Sequence, residues 1–152
     1  MVQSRTQVQW AKAVPTLGVE LVTVEVRDDD YDRAFATIGA EQADALSVVA
    51  SVILRTGRQP IIQLAAKHRL HAIYDWREHV EEGGLMAYGG SVSAFTRRAA
   101  VYIDRLFRGA NPAELPVERA TTFELAINLR TAKALGLTIP PSLLQRADQV
   151  IE

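Results

Sequence analysis

Leu70 to Ser91, LHAIYDWREHVEEGGLMAYGGS, sets two short apolar runs on either side of a charged stretch, and each run ends in polar or glycine residues. That pattern predicts a crossing between strands. His71 to Tyr74 reads as a strand that stops at Asp75, Trp76 and Arg77. Leu85 to Tyr88 reads as a second that stops at Gly89 and Gly90, with a helix starting at Ser91. In open α/β sheets, ligands settle beyond the carboxyl ends of the strands, where loop amides and helix N-termini point into a crevice. Asp75 and the Gly89-Gly90-Ser91 turn are therefore the first candidates for a site.

Before this stretch, Gln3 to Leu17 carries Val8, Ala11, Val14 and Leu17 at the helical period, with Pro15 bending or ending the run and Gly18 stopping it. Val19 to Val26, VELVTVEV, is rich in β-branched residues and partly alternates, which predicts a half-exposed strand. The aspartates at 28 to 30 suit a helix N-terminus, and a helix from Tyr31 to about Gln42 comes next, with Phe35 and Ile38 inward. Capping is favoured over metal binding there, because adjacent side chains cannot all turn inward. Ala43 to Ala50 is a nearly continuous apolar run, expected as a strand covered on both faces near the centre of a parallel sheet. Val52 to Leu70 reads as a helix from about Arg55, with Ile61, Ile62, Leu64 and Ala65 inward and Pro60 kinking it or marking its first turn.

Beyond the crossing, Ser91 to Arg108 places Phe95, Ala99, Tyr102, Ile103, Leu106 and Phe107 at helical spacing, closed by Gly109. Asn111 to Glu118 is an extended connector, Thr121 to Leu129 an alternating strand, and Arg130 to Leu135 a short helix ended by Gly136. The tail predicts a final amphipathic helix from Pro140 or Pro141 through Leu143, Leu144, Ala147 and Val150. The order is an α/β series in a doubly wound, mostly parallel sheet that lacks its opening strand.

Composition bounds the function. The chain has 152 residues, 17 Lys+Arg against 18 Asp+Glu, and no cysteine. Near neutrality offers no field for nucleic acid or an anionic membrane, and a chain without thiols holds no disulfide or cysteine nucleophile. The N-terminus MVQSRTQVQW has neither the apolar core of a secretory signal nor a membrane-spanning run, so a product made as written is expected to stay in the cytoplasm. There is no G-x-S-x-G, P-loop, G-x-G-x-x-G or H-E-x-x-H, which makes an enzyme the weaker class. His68 and His71 straddle a helix–strand junction, and His79 reads as lying on a polar turn, so no shared metal site is expected. Arg77, Glu78, Glu81 and Glu82 read as a solvated charged face on a short crossing helix. Trp76 stands out as a flat apolar wall beside polar groups, with seam packing as the plainer role.

LAAKHRLHAIY, EEGGLMAYG, RGANPAELPVE and FELAINLRTAKALGLTIPPSLLQRADQVIE together resemble the C-terminal half of the ABC-transporter substrate-binding protein family. The resemblance implies a type I periplasmic-binding fold, with two doubly wound lobes joined by three crossing segments and closing on a small solute. By that likeness residues 1–76 are a second-lobe segment without its first strand. Residues 77–152 are a crossing followed by returning first-lobe strands and helices. The implied partners are a small-molecule solute and an ABC permease, with no nucleic acid, no direct membrane insertion and no cofactor. The implied location is periplasmic. Related turns commonly read YGPN or GFDY where this chain reads YGGS. The candidate ligand contacts are Ser51, Asp75, Trp76, Tyr88, Gly90 and Ser91: Asp75 as acceptor, the serines and Gly90 as hydroxyl and amide donors, the aromatics as stacking surfaces. A ligand-sensing regulatory domain of the same fold and a small doubly wound enzyme are the alternatives. The unpaired strand edges of so short a chain predict a homo-oligomer.

Overall fold

The computed structural model describes residues 14, 16–119 and 121–152, and the chain divides into two compact units, 1–43 and 44–152. In the first unit, helix α1 spans Tyr31–Ala40. Asp30 caps it by accepting from the Arg33 amide at 3.0 Å, while Asp28 and Asp29 take positive φ angles of 52° and 56°, a region that short polar side chains tolerate. Tyr31 donates to Asp29 at 3.1 Å. The aspartate run is thus spent on the turn and the cap, and Tyr31, Ala34, Phe35 and Ile38 form the buried stripe.

Val19 to Val26 is not a strand. The stretch lies outside any sheet, with Val19, Leu21 and Val22 exposed. β-branched composition describes a residue that fits a pleated, half-buried surface; here no neighbouring strand supplies one among the described residues of this unit. The helix expected over Gln3 to Leu17 lies outside the described residues, apart from Val14, Thr16 and Leu17, which are helical.

The second unit is built on a five-stranded sheet in the order β1 to β5. The strands are Ala45–Val48 (β1), His71–Tyr74 (β2), Met86–Gly90 (β3), Phe123–Asn128 (β4) and Gln149–Ile151 (β5). The pairs β1–β2, β2–β3 and β4–β5 are parallel, and β3–β4 is antiparallel. β1 lies at the edge rather than the centre, and only Val48 of it is buried; an apolar run reads the same whether its second neighbour is present or not. Between β1 and β2, helices α2 (Val52–Thr56) and α3 (Arg58–Lys67) break at Gly57. Pro60 sits in the first turn of α3, where its missing N–H is not needed, and Ile61, Ile62 and Ala65 face inward.

Helix α4, Arg77–Glu81, makes the crossing. It brings Val80 and His79 into a core with Tyr74 and Ile127, all four fully buried. Asn128 locks the crossing to the last strands and helices of the unit. Its amide donates to the Val80 carbonyl at 3.2 Å and its carbonyl accepts from Thr131 N–H at 3.1 Å, capping helix α6, Leu129–Leu135. Thr131 donates in turn to the Gly83 carbonyl at 2.8 Å. The last expected helix is only the short α7, Pro141–Leu144. Asp148 then exchanges two 2.8 Å bonds with Leu125, so the chain straightens along the free edge of β4, and that pairing overrides the helical spacing of Val150.

Helix α5, Val92–Phe107, has 16 residues and none of them is buried. Phe95, Val101, Ile103, Leu106 and Phe107 are exposed. The connector after it folds back along the helix through a Tyr102 hydroxyl donating to the Pro116 carbonyl at 2.5 Å and an Arg98–Glu118 ion pair. Between them lies an open apolar groove of about 450 Å³ bordered by Phe95, Tyr102, Leu115 and Val117.

β3 passes β2 so closely that a Cβ built on Gly89 would lie 1.8 Å from the Asp75 carbonyl oxygen. A backbone atom cannot turn aside as a side-chain tip can. Gly89→Ala should therefore lower unfolding stability by about 3 kcal/mol or more, read by urea denaturation; a change within about 0.5 kcal/mol would show that the two strands can separate freely at this point.

Candidate functional site

The strand ends do meet in a crevice. Asp75 and Trp76 come directly after β2, and Gly89 and Gly90 end β3. Ser91, only 2% exposed, caps α5 by accepting from the Ala94 amide at 3.3 Å, with the Ser93 hydroxyl 3.0 Å away. Arg77, Glu78, Val92 and Glu124 complete the lining. Glu124 arrives because the antiparallel register sets it opposite Gly89. No spacing within the chain announces that contact, so sequence reasoning had no means of finding it.

Charge of both signs is distributed around the opening. Arg77 lies 3.6 Å from Glu124 and 3.1 Å from Glu81. Arg55, on α2, lies 3.8 Å from Glu78 and places its guanidinium 5.5 Å from the centre of the Trp76 ring, a cation–π contact. Burial pushes the Asp75 carboxyl above the ordinary aspartate value, opposed by the facing Ala50 amide and by the nearby His79. The segment just past β1 thus also faces this carboxyl. The crevice offers hydrogen-bond acceptors, hydroxyl and amide donors and an aromatic face. Its cavity is about 30 Å³, room for a water or two, where sites for drug-sized ligands run from roughly 300 Å³.

Of the residues singled out from the sequence, Asp75, Trp76, Gly90 and Ser91 come together here. Ser51 stands at the N-terminus of α2 without a side-chain cap bond, next to the Ala50 amide that reaches Asp75. Tyr88 alternates with Gly89 along β3 and so faces the other side of the sheet, where it stacks on Phe123 at 5.7 Å and remains 53% exposed. His79 is not on a polar turn; it is 0% exposed. In a helix as short as α4 the HV pair is the inward surface, and the flanking charges of REHVEE hid it. Among the described residues no three histidine, aspartate or glutamate side chains converge to hold a metal ion, and no helix is long and apolar enough to cross a membrane.

The geometry has counterparts among known proteins. A conserved domain protein from Vibrio cholerae O1 biovar El Tor superposes with a TM-score of 0.85 at 24% identity, over 95% of this chain and 49% of that one. An ABC domain from Streptococcus pneumonia, solved in complex with L-Trp, gives 0.83 at 27% identity, over 97% of this chain and 50% of that one. The ligand-free, open structure of a substrate binding protein with adhesive properties from Clostridium difficile gives 0.64 at 17% identity, over 99% and 51%. The chain therefore spans about half the length of these solved relatives. No curated protein matches it. The family described as ABC transporter substrate binding protein matches residues 2–151, and with this extent of match the chain belongs to that family.

Proposed function

We propose that this chain is part of the solute-binding component of an ABC-type uptake transporter, working outside the cytoplasm by binding and closure rather than by bond chemistry. The observation that carries the reading is the meeting of Asp75, Trp76, Gly90 and Ser91 at the strand ends of a fold whose similar Streptococcus domain was solved with L-Trp. The solute is a small molecule with an amine or hydroxyl for Asp75 and a polar or anionic group for Ser91, Ser51 and the Gly90 amide. Trp76 stacks on its flat part. Tyr88, facing the other side of the sheet, is left out of this set. A second lobe supplies the opposite wall, and the solute favours the closed state by bridging both lobes; the closed form docks on the permease.

The affinity depends on enclosure. A surface with room for a water or two buries little of a solute, and burial of most of the ligand is what small-molecule sites depend on. The 152-residue chain should show no micromolar ligand in a thermal-shift and calorimetric screen of amino acids and aromatic acids, L-tryptophan included. Reading the genomic sequence upstream of Met1 tests whether an in-frame lobe makes an extended protein. With the complementary lobe present, Asp75→Ala should weaken solute binding about ten-fold or more. Micromolar binding by the chain alone would contradict the two-lobe reading, and unchanged affinity in Asp75→Ala would remove Asp75 from the site.

In the absence of that lobe, copies of the chain associate with one another. Among the described residues β1 is an edge strand with a partner on one side only, and α5 has no buried position. Each polar group left buried and unpaired costs about 1–3 kcal/mol. Light scattering after size exclusion should show dimers or larger species at tens of micromolar, whereas a stable, folded monomer would overturn the proposed association.

A further inference from the structure

The second unit contains a buried imidazole that no hydrogen bond accounts for. His79 has no exposed surface, and neither ring nitrogen has a partner in hydrogen-bond geometry. The carbonyls of Trp76 and Leu54 do face the ring closely enough to favour its charged form. What holds the imidazole is stacking. Its centroid is 4.7 Å from that of Tyr74 at 22° and 6.1 Å from that of Trp76 at 14°, and Trp76 is a wall of the crevice.

We propose that His79 is the positioning residue for Trp76: its neutral ring seats the indole as the wall of the crevice, and uptake of a proton unseats it, so that acid loosens the site. A neutral imidazole stacked on the two aromatic rings bears only the modest cost of its unpaired nitrogens. An imidazolium in the same place is a buried cation with no hydrogen-bonded counter-charge, and a group in that position either stays neutral or moves. The charges around it do not settle the matter in favour of the cation. Arg58 on α3 opposes it, Glu78 on its own helix favours it, and Glu82 and Asp75 also interact with it. Glu82, however, is held by Arg58 at 2.6 Å, and Glu124 on β4 is approached by Arg77. Burial keeps the Tyr74 phenol protonated, so β2 adds no charge from that side.

The sign is set by burial, which holds the imidazole below its ordinary value. Unfolded or released, the ring takes its proton near pH 6.5. The seated arrangement is therefore fully favoured above that value and loses favour as pH falls below it. That the crevice takes a solute rests on the function proposed above; the coupling of His79 to Trp76 does not.

The chain has two tryptophans, so Trp10→Phe leaves Trp76 as the sole reporter. Acrylamide quenching of its emission, measured from pH 8 to 5 alongside far-UV circular dichroism, reads how open the indole is. The quenching constant should rise about two-fold or more below roughly pH 6.5, reversibly and with secondary structure unchanged. His79→Phe keeps a flat ring that cannot be charged and should hold the pH 8 value throughout. If that variant does not fold, His79→Gln should likewise show no pH dependence. A flat profile with His79 present, a transition that persists without it, or one that coincides with loss of secondary structure would each overturn the proposal. Should the extended protein bind none of the amino acids or aromatic acids screened while the His79-dependent transition remains, the solute reading fails and this one stands.

Discussion

The approach of β3 to the end of β2 is the constraint on which the site depends. Gly89 runs so near the Asp75 carbonyl that no side chain fits between them, and this is why the two strand ends open into one crevice rather than two. The consequence travels outward. With β3 held there, its antiparallel partner β4 brings Glu124 level with Gly89 and sets the start of α5 at Ser91. Removing space at one glycine thus assembles an acceptor from β2, an acid from β4 and a capped helix terminus.

The opposite end of β4 performs the complementary task. Asn128 satisfies a carbonyl of the crossing helix and caps α6 at the same time. A buried amide bound on both sides resists displacement, since losing either partner leaves a polar group without water or protein to pair it. The crossing is consequently pinned at Gly83 and Val80 while its first turn, with Trp76 and Arg77, lines the crevice. Rigid on one side and lined with charge on the other, it keeps the residues lining the crevice in register.

The parts legible in the sequence were those that local chemistry decides. His71–Tyr74 was bounded by Asp75 on one side and the polar end of a helix on the other, and its limits agree with the structure. Ser91 and Gly136 act at helix ends as their residue types require. Where pairing decides, residue type misled. Val19 to Val26 has strand composition without a ladder, and Gln149 to Ile151 has helical spacing but pairs with β4. The site divided in the same way. Asp75, Trp76, Gly90 and Ser91 are adjacent to strand ends and could be named from position alone. Glu124 depends on register, and His79 on which side of a short helix meets the sheet, and neither property is written in a local pattern.

The crevice and the face of α5 can be understood together. A helix of 16 residues with no buried position is not a stable surface for water to cover, and a crevice of about 30 Å³ does not enclose a solute. Both deficits have the same remedy, a second body of protein packed against this unit, and the solved relatives are about twice as long as the chain. Covering the apolar surface of α5 would contribute roughly 25 cal/mol for each Å² to holding such a body. Enclosure at the strand ends then strengthens each hydrogen bond and charge contact by excluding water. In the proposed two-lobe protein, stability and recognition would thus both depend on what packs against this unit.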